Sequence, residues 1–90
     1  MILCRVTGAI VSTQKSEALR SHKILIVRPV DLEGSPAGRD MLALDTVDAG
    51  TGDTVLVVQG AGAAEQILGR AEVPSGTIIV AVVDGMDIPP

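Results

Sequence analysis

Apolar residues in this chain fall in short runs rich in Val and Ile, punctuated by Gly, Pro, Asp and Ser, a pattern that predicts strands joined by turns. Five runs stand out: Ile2–Val11, Lys23–Val30, Met41–Val47, Thr54–Gln59 and Thr77–Asp84. Gly8 lies inside the first and predicts a bulge or bend there, the device by which a small sheet curls into a barrel. The last run is apolar on successive positions, so both of its faces are expected to be buried. One face would meet the barrel interior and the other a neighbouring subunit. Between the runs, polar Ser12–His22 reads as a loop or a ragged turn of helix, and Asp31–Gly38 (DLEGSPAG) as a hairpin loop. Ala61–Leu68 carries the pairs Ala63/Ile67 and Ala64/Leu68 at helical spacing, with Gly69 placed as a C-terminal cap. Pro74-Ser75-Gly76 turns the chain into the last run, and the tail Gly85–Pro90 ends in two prolines that cannot extend a central strand.

Five short strands and one small helix in 90 residues predict a mainly β, small OB-like barrel. A flat two-sheet sandwich is the alternative. The length suits a single domain, residues 1–90, and no internal repeat or linker divides it. Composition adds a constraint. The chain is 47% hydrophobic yet has no Phe, Tyr or Trp, so its core must be aliphatic. A domain of this size buries only a little over ~60% of its unfolded surface. Without aromatics, which bury the most area per residue, burial between subunits is an attractive way to complete the fold.

Charge narrows the partners. A net charge of −4 at pH 7 disfavours nucleic acid, which needs a basic footprint. OB-like folds that hold single strands also stack bases on aromatic side chains over a positive groove, and this chain offers neither. Residues 1–39 hold six basic and three acidic side chains, whereas residues 40–90 hold one basic and eight acidic. Such halves could pair head-to-tail into a ring; an uneven solvated surface accounts for them equally well. Cys4 is the only cysteine, so no intrachain disulfide forms and a reducing cytoplasm fits. The apolar start MILCRVTG is interrupted by Arg5 and lacks a cleavage region, unlike a signal peptide. Ile78–Val83, the longest apolar run, is far too short to span a bilayer. A soluble, intracellular protein with no membrane partner is expected.

Candidate chemistry is sparse. Strand Thr54–Gln59 is flanked by Gly50-Thr51-Gly52 and Gly60-Ala61-Gly62, the surroundings in which a phosphate cradle is sought. A dinucleotide fingerprint needs a third glycine three positions on, where this chain has Val55 and Glu65. Neither cluster is followed by Gly-Lys-Ser/Thr, so the glycines serve geometry. His22, the sole histidine, reads as a solvated loop residue, with no nucleophile paired to it in any hydrolase pattern. Cys4 reads as a buried small hydrophobe. One Cys, one His and scattered acids lack metal-ligand spacing. Asp45, Asp48 and Asp53 are spaced as turn and cap residues; their order is not that of an EF-hand loop. No catalytic residue, cofactor or metal site is expected.

Several segments, in the right order and over nearly the whole chain, resemble the EutN/CcmL family, the pentameric vertex proteins of bacterial microcompartment shells, and the opening segment looks especially close to members from propanediol-type shells. Arg5–Lys15 (RVTGAIVSTQK) resembles that family's first strand and following loop, and Lys23–Val27 its second strand. Asp45–Val57 (DTVDAGTGDTVLV) resembles its pattern of Asp, two residues, Gly-Ala-Gly-x-Gly-Glu and a strand. Gly60–Ala64 stands where the family often has Gly-Ser-Ser-Ala-Arg, and Pro74–Asp84 resembles its last strand. There are departures: Asp48 stands where Gly is common, Asp53 for Glu, Ala64 for Arg and Gly76 for Asp. The resemblance implies a structural shell protein and no enzyme: a cyclic homo-pentamer of small barrels that plugs the five-fold corners left by hexameric shell tiles. It also implies a narrow axial opening, with Asp45, Ala49, Gly50, Thr51 and Gly52 as candidates for a subunit contact or that axis. The runner-up is an OB-like binding module for a small ligand or a partner peptide on a strand edge.

Overall fold

The computed structural model describes residues 1–10, 23–60 and 76–85. They form five strands: β1 (Ile2–Ala9), β2 (Ile24–Pro29), β3 (Met41–Asp45), β4 (Thr54–Gln59) and β5 (Thr77–Val82). The strands close into a barrel in the order β1-β2-β3-β5-β4, as expected of an OB-like fold and unlike a flat sandwich. β1 lies antiparallel between β2 and β4. The circle closes where β3 meets β5 in parallel, through Leu44 opposite Ile78 and Asp45 opposite Ile79. DLEGSPAG is the β2–β3 hairpin loop: the Asp31 amide donates to the Ser35 carbonyl at 2.9 Å, and Gly34 turns at φ 85°. The apolar run Met41–Val47 yields a strand only to Asp45, whose side chain bends the chain away. The expected helix at 61–68 with its Gly69 cap, the segment 12–22 with His22, Pro74-Ser75 and the tail from 86 onward lie outside the described residues.

Two irregularities curl the sheet. Between β1 and β2 the register passes from Val6 opposite Val27 to Gly8 opposite Ile26, leaving Thr7 as an extra residue. The bulge expected at Gly8 is therefore present. Between β4 and β5 it passes from Leu56 opposite Ala81 to Val57 opposite Ile79, leaving Val80 extra. Each bulge bends its strand and increases the local twist, which lets five short strands close. The second also limits the expectation for the last strand. Ile78 and Ile79 are both fully buried, but Val80 and Ala81 are half-buried and Val82 is exposed. Within one chain, two-sided burial holds only before the bulge.

The interior is aliphatic, as the composition requires. Alternate positions point inward: Cys4 and Val6 from β1, Leu25 and Val27 from β2, Ala43 from β3, Val55 and Val57 from β4, and Ile79 from β5, with Ala49 at one end. Fully burying a Val, Leu or Ile side chain contributes ≈ 1.5–3 kcal/mol. Cys4 behaves as a small hydrophobe, and burial pushes its thiol pKa up. Leu44 and Ile78, facing each other across the parallel seam, are fully buried yet outside this interior cluster.

Candidate functional site

Asp45, the last residue of β3, and the chain from there to β4 hold every site residue expected from the sequence, and Asp45 organises the first half of that segment. The Asp45 carboxylate is shielded, with 1% of its side chain exposed. One oxygen accepts the Val47 amide and the other the Ala49 amide, each at 3.0 Å. These bonds draw positions 45 and 49 together and hold Ala49 fully buried against the core. Asp48 between them adopts φ 56°, a conformation that Asp tolerates better than most non-glycine residues. This accounts for Asp where glycine is common in the family pattern.

The second half, Gly50–Asp53, is tied to itself and to β1. The Gly50 amide donates to the Asp53 carboxylate at 2.9 Å, and the Asp53 amide to the Gly50 carbonyl at 3.0 Å. The Gly52 amide donates to the Val6 carbonyl at 2.8 Å, and the Val6 amide to the Asp53 carbonyl at 2.9 Å. Asp45 and Asp53 thus serve as turn and cap residues, as their spacing suggested. Thr51 and Gly52 are exposed at the tip. Gly52 alone of this pair of glycines has a positive φ, 95°. A Cβ on either glycine would meet no other atom of the chain within 4 Å, so only the backbone angle at Gly52 demands glycine.

Lys23, just before β2, is the partner that sequence reading missed. Its ammonium donates to the Asp48 carboxylate and to the Ala49 carbonyl, both at 3.0 Å, and lies 3.6 Å from Asp45. Its own carbonyl accepts the Asp45 amide at 2.8 Å. The Asp48 hydrogen bond is the main cause that raises the Lys23 pKa, while partial desolvation opposes it. The signal was the β2–β3 register: Ile24 opposite Leu44 brings Lys23 beside Asp45. A second ion pair, Arg28 Nε with Asp40 Oδ1 at 2.7 Å, bridges the same hairpin and holds the Asp40 pKa down, chiefly through that hydrogen bond. Two cations of the basic half are thereby matched to acids of the acidic half within one chain.

The arrangement is a clamp. Ammonium, carboxylates and loop amides satisfy one another, and no buried side-chain nitrogen or oxygen among the described residues lacks a partner. Among those residues, no group of three or more His, Cys, Asp or Glu side chains is placed to hold a metal ion. No helix among them is long and apolar enough to cross a membrane.

Residues 1–84 match the family model described as "Ethanolamine utilisation protein EutN/carboxysome". The bacterial microcompartment shell vertex protein PduN of Salmonella typhimurium is 44% identical, over 97% of this chain and 96% of its own length. Among solved structures, the ethanolamine utilization protein EutN superposes with a TM-score of 0.86 at 35% identity, covering 98% of this chain and 91% of that one. The GrpN pentameric microcompartment shell protein from Rhodospirillum rubrum gives a TM-score of 0.80 at 31% identity, covering 99% and 100%.

Proposed function

The chain belongs to the EutN/CcmL family, and from that premise we propose that it is a structural protein forming the pentameric vertices of a bacterial microcompartment shell. The observation that carries this reading is the family match across residues 1–84, joined to the closed barrel shared with a pentameric shell protein. A shell paved by six-fold tiles curves shut only where five-fold units replace them. Five identical barrels in a head-to-tail ring supply such a unit, with each subunit using two different faces.

The chain acts as one domain with no enzymatic role, and its place is the microcompartment shell in the cytoplasm. Its partners are four copies of itself and the hexameric tiles of the same shell, with no nucleic acid and no membrane. The relatives' role as shell vertex proteins supports this over a ligand-binding OB module. The loop holding Asp45, Ala49, Gly50, Thr51 and Gly52 contacts the neighbouring subunit or borders the five-fold axis. Its rigid internal bonding and exposed tip support that placement. Native mass spectrometry of the purified chain is expected to give a pentamer, and co-expression with hexameric tiles to give closed shells. A monomer at micromolar concentration that leaves such shells uncapped would overturn the reading.

A further inference from the structure

A head-to-tail ring needs two unlike, complementary patches on each subunit, and the outer wall of this barrel carries two apolar rows in cross-strand register. The first runs over β1, β4 and β5: Leu3 opposite Leu56, and Leu56 opposite Ala81. Beside it lies a hollow of ≈ 110 Å³ lined by the apolar Leu3, Val30 and Leu32 together with Arg5, Asp31, Glu33, Gly34 and Thr54; the Asp31 carboxylate is already held by the Glu33 and Ser35 amides. The second row runs over β1, β2 and β3: Gly8 opposite Ile26, and Ile26 opposite Leu42. Ile26 lies over Gly8, its Cδ1 3.5 Å from where a Cβ would sit, and Leu42 stands out at 52% exposed. One row therefore offers a recess and the other a projecting leucine.

Size and charge agree in pairing them. A cavity of about 150 Å³ accepts a benzene, so a smaller hollow suits one aliphatic side chain. Arg5 is exposed and has no ion-pair partner among the described residues. At the other row, Asp40 stands two residues before Leu42, bound on one flank by Arg28 and still 42% exposed. A carboxylate has about four acceptor positions, so Asp40 can take a second guanidinium.

Resting on the ring reading above, we propose that Leu42 of each subunit inserts into the Leu3–Val30–Leu32 hollow of a second copy, whose Arg5 pairs with the same Asp40. The two rows are the two halves of one repeated interface.

Complementation tests this. Leu32 and Leu42 are both more than half exposed, so Leu32→Asp and Leu42→Asp each remove one half of the interface without touching the core. Each variant alone is expected to lose the pentamer in native mass spectrometry. Mixed in equal amounts they are expected to form a 1:1 heterodimer, because one intact pair of faces remains between them. A pentamer from either variant overturns the inference and leaves the ring standing; a monomeric unaltered chain removes the ring itself. A chain carrying Leu32→Cys and Leu42→Cys gives a reading that needs no weakened face. On oxidation it is expected to yield a ladder of linked subunits up to five, and monomer only overturns the proposal.

Discussion

The carboxylate of Asp45, shut away from solvent, accepts the Ala49 amide at 3.0 Å and so fixes the start of the β3–β4 loop. Its other oxygen holds Val47. Asp45→Ala leaves two loop amides without their acceptor, and for the buried Ala49 amide the lost partner costs ≈ 1–3 kcal/mol. Asp45→Asn keeps one carbonyl oxygen and loses less. Denaturant midpoints of the two variants are expected to fall in that order.

Lys23 makes the same loop sensitive to alkali. Its pKa in the folded chain is raised above the ordinary 10.5 by Asp48. The contribution is therefore complete below the unfolded value and disappears as pH climbs through the folded one. Unfolding midpoints measured from neutral to strongly alkaline pH should show that decline, and Lys23→Met should remove it. A decline that persists in Lys23→Met would assign it to other groups.

Asp40 works in the opposite direction. Arg28 holds its pKa below 3.8, so the stability it adds is present above the unfolded value and is lost as pH falls through the folded one. Both side chains are near 43% exposed, and solvent keeps such pairs weak. The informative measurement is the Asp40 carboxyl titration by NMR, expected to move upward in Arg28→Gln.

Glycine substitutions should separate two neighbours of equal composition. Gly52 turns at φ 95°, where an L side chain costs roughly 1–2 kcal/mol and a β-branched one more. Gly50 has no positive φ and open space around it. Gly52→Val is expected to abolish the pentamer while the barrel still unfolds cooperatively, and Gly50→Ala to keep both. Wild-type assembly from Gly52→Val would take the loop out of the subunit contact.

In the core, Ile79 packs at 0% exposure in an aliphatic cluster with Leu25, Cys4 and several valines and alanines. Ile79→Val should cost ≈ 0.5–1.5 kcal/mol and Ile79→Ala ≈ 2–5 kcal/mol, read from thermal or chemical unfolding. A small aliphatic interior has no large ring to shift into the space.

Much of the barrel was legible because its strands are short, β-branched and cleanly punctuated. All five lie where the runs predicted, and Gly8 marked its bulge. The bulge at Val80 was not legible, since no glycine accompanies it and every nearby residue is apolar. The turn roles of Asp45 and Asp53 followed from spacing alone. Lys23 did not: it stands 22 positions before Asp45 in the numbering, and only the pairing of β2 with β3 brings them together. The apolar rows on the outer wall escaped notice for the same reason, since each residue of a row belongs to a different strand.

The parallel seam, only two residue pairs long, also sets an order of events. Leu44 and Ile78 are far apart along the chain, so their meeting carries a larger loop-closure cost than the β2–β3 hairpin does. The hairpin can form while the seam stays open, so closure of the seam follows the hairpin in folding. Interactions formed after the rate-limiting barrier act on the way out rather than the way in. Ile78→Ala, which lies outside that hairpin, should thus speed unfolding in stopped-flow measurements and leave refolding almost unchanged. The lifetime of the closed barrel, more than the speed of its formation, would then set how long each free copy stays competent to join a ring.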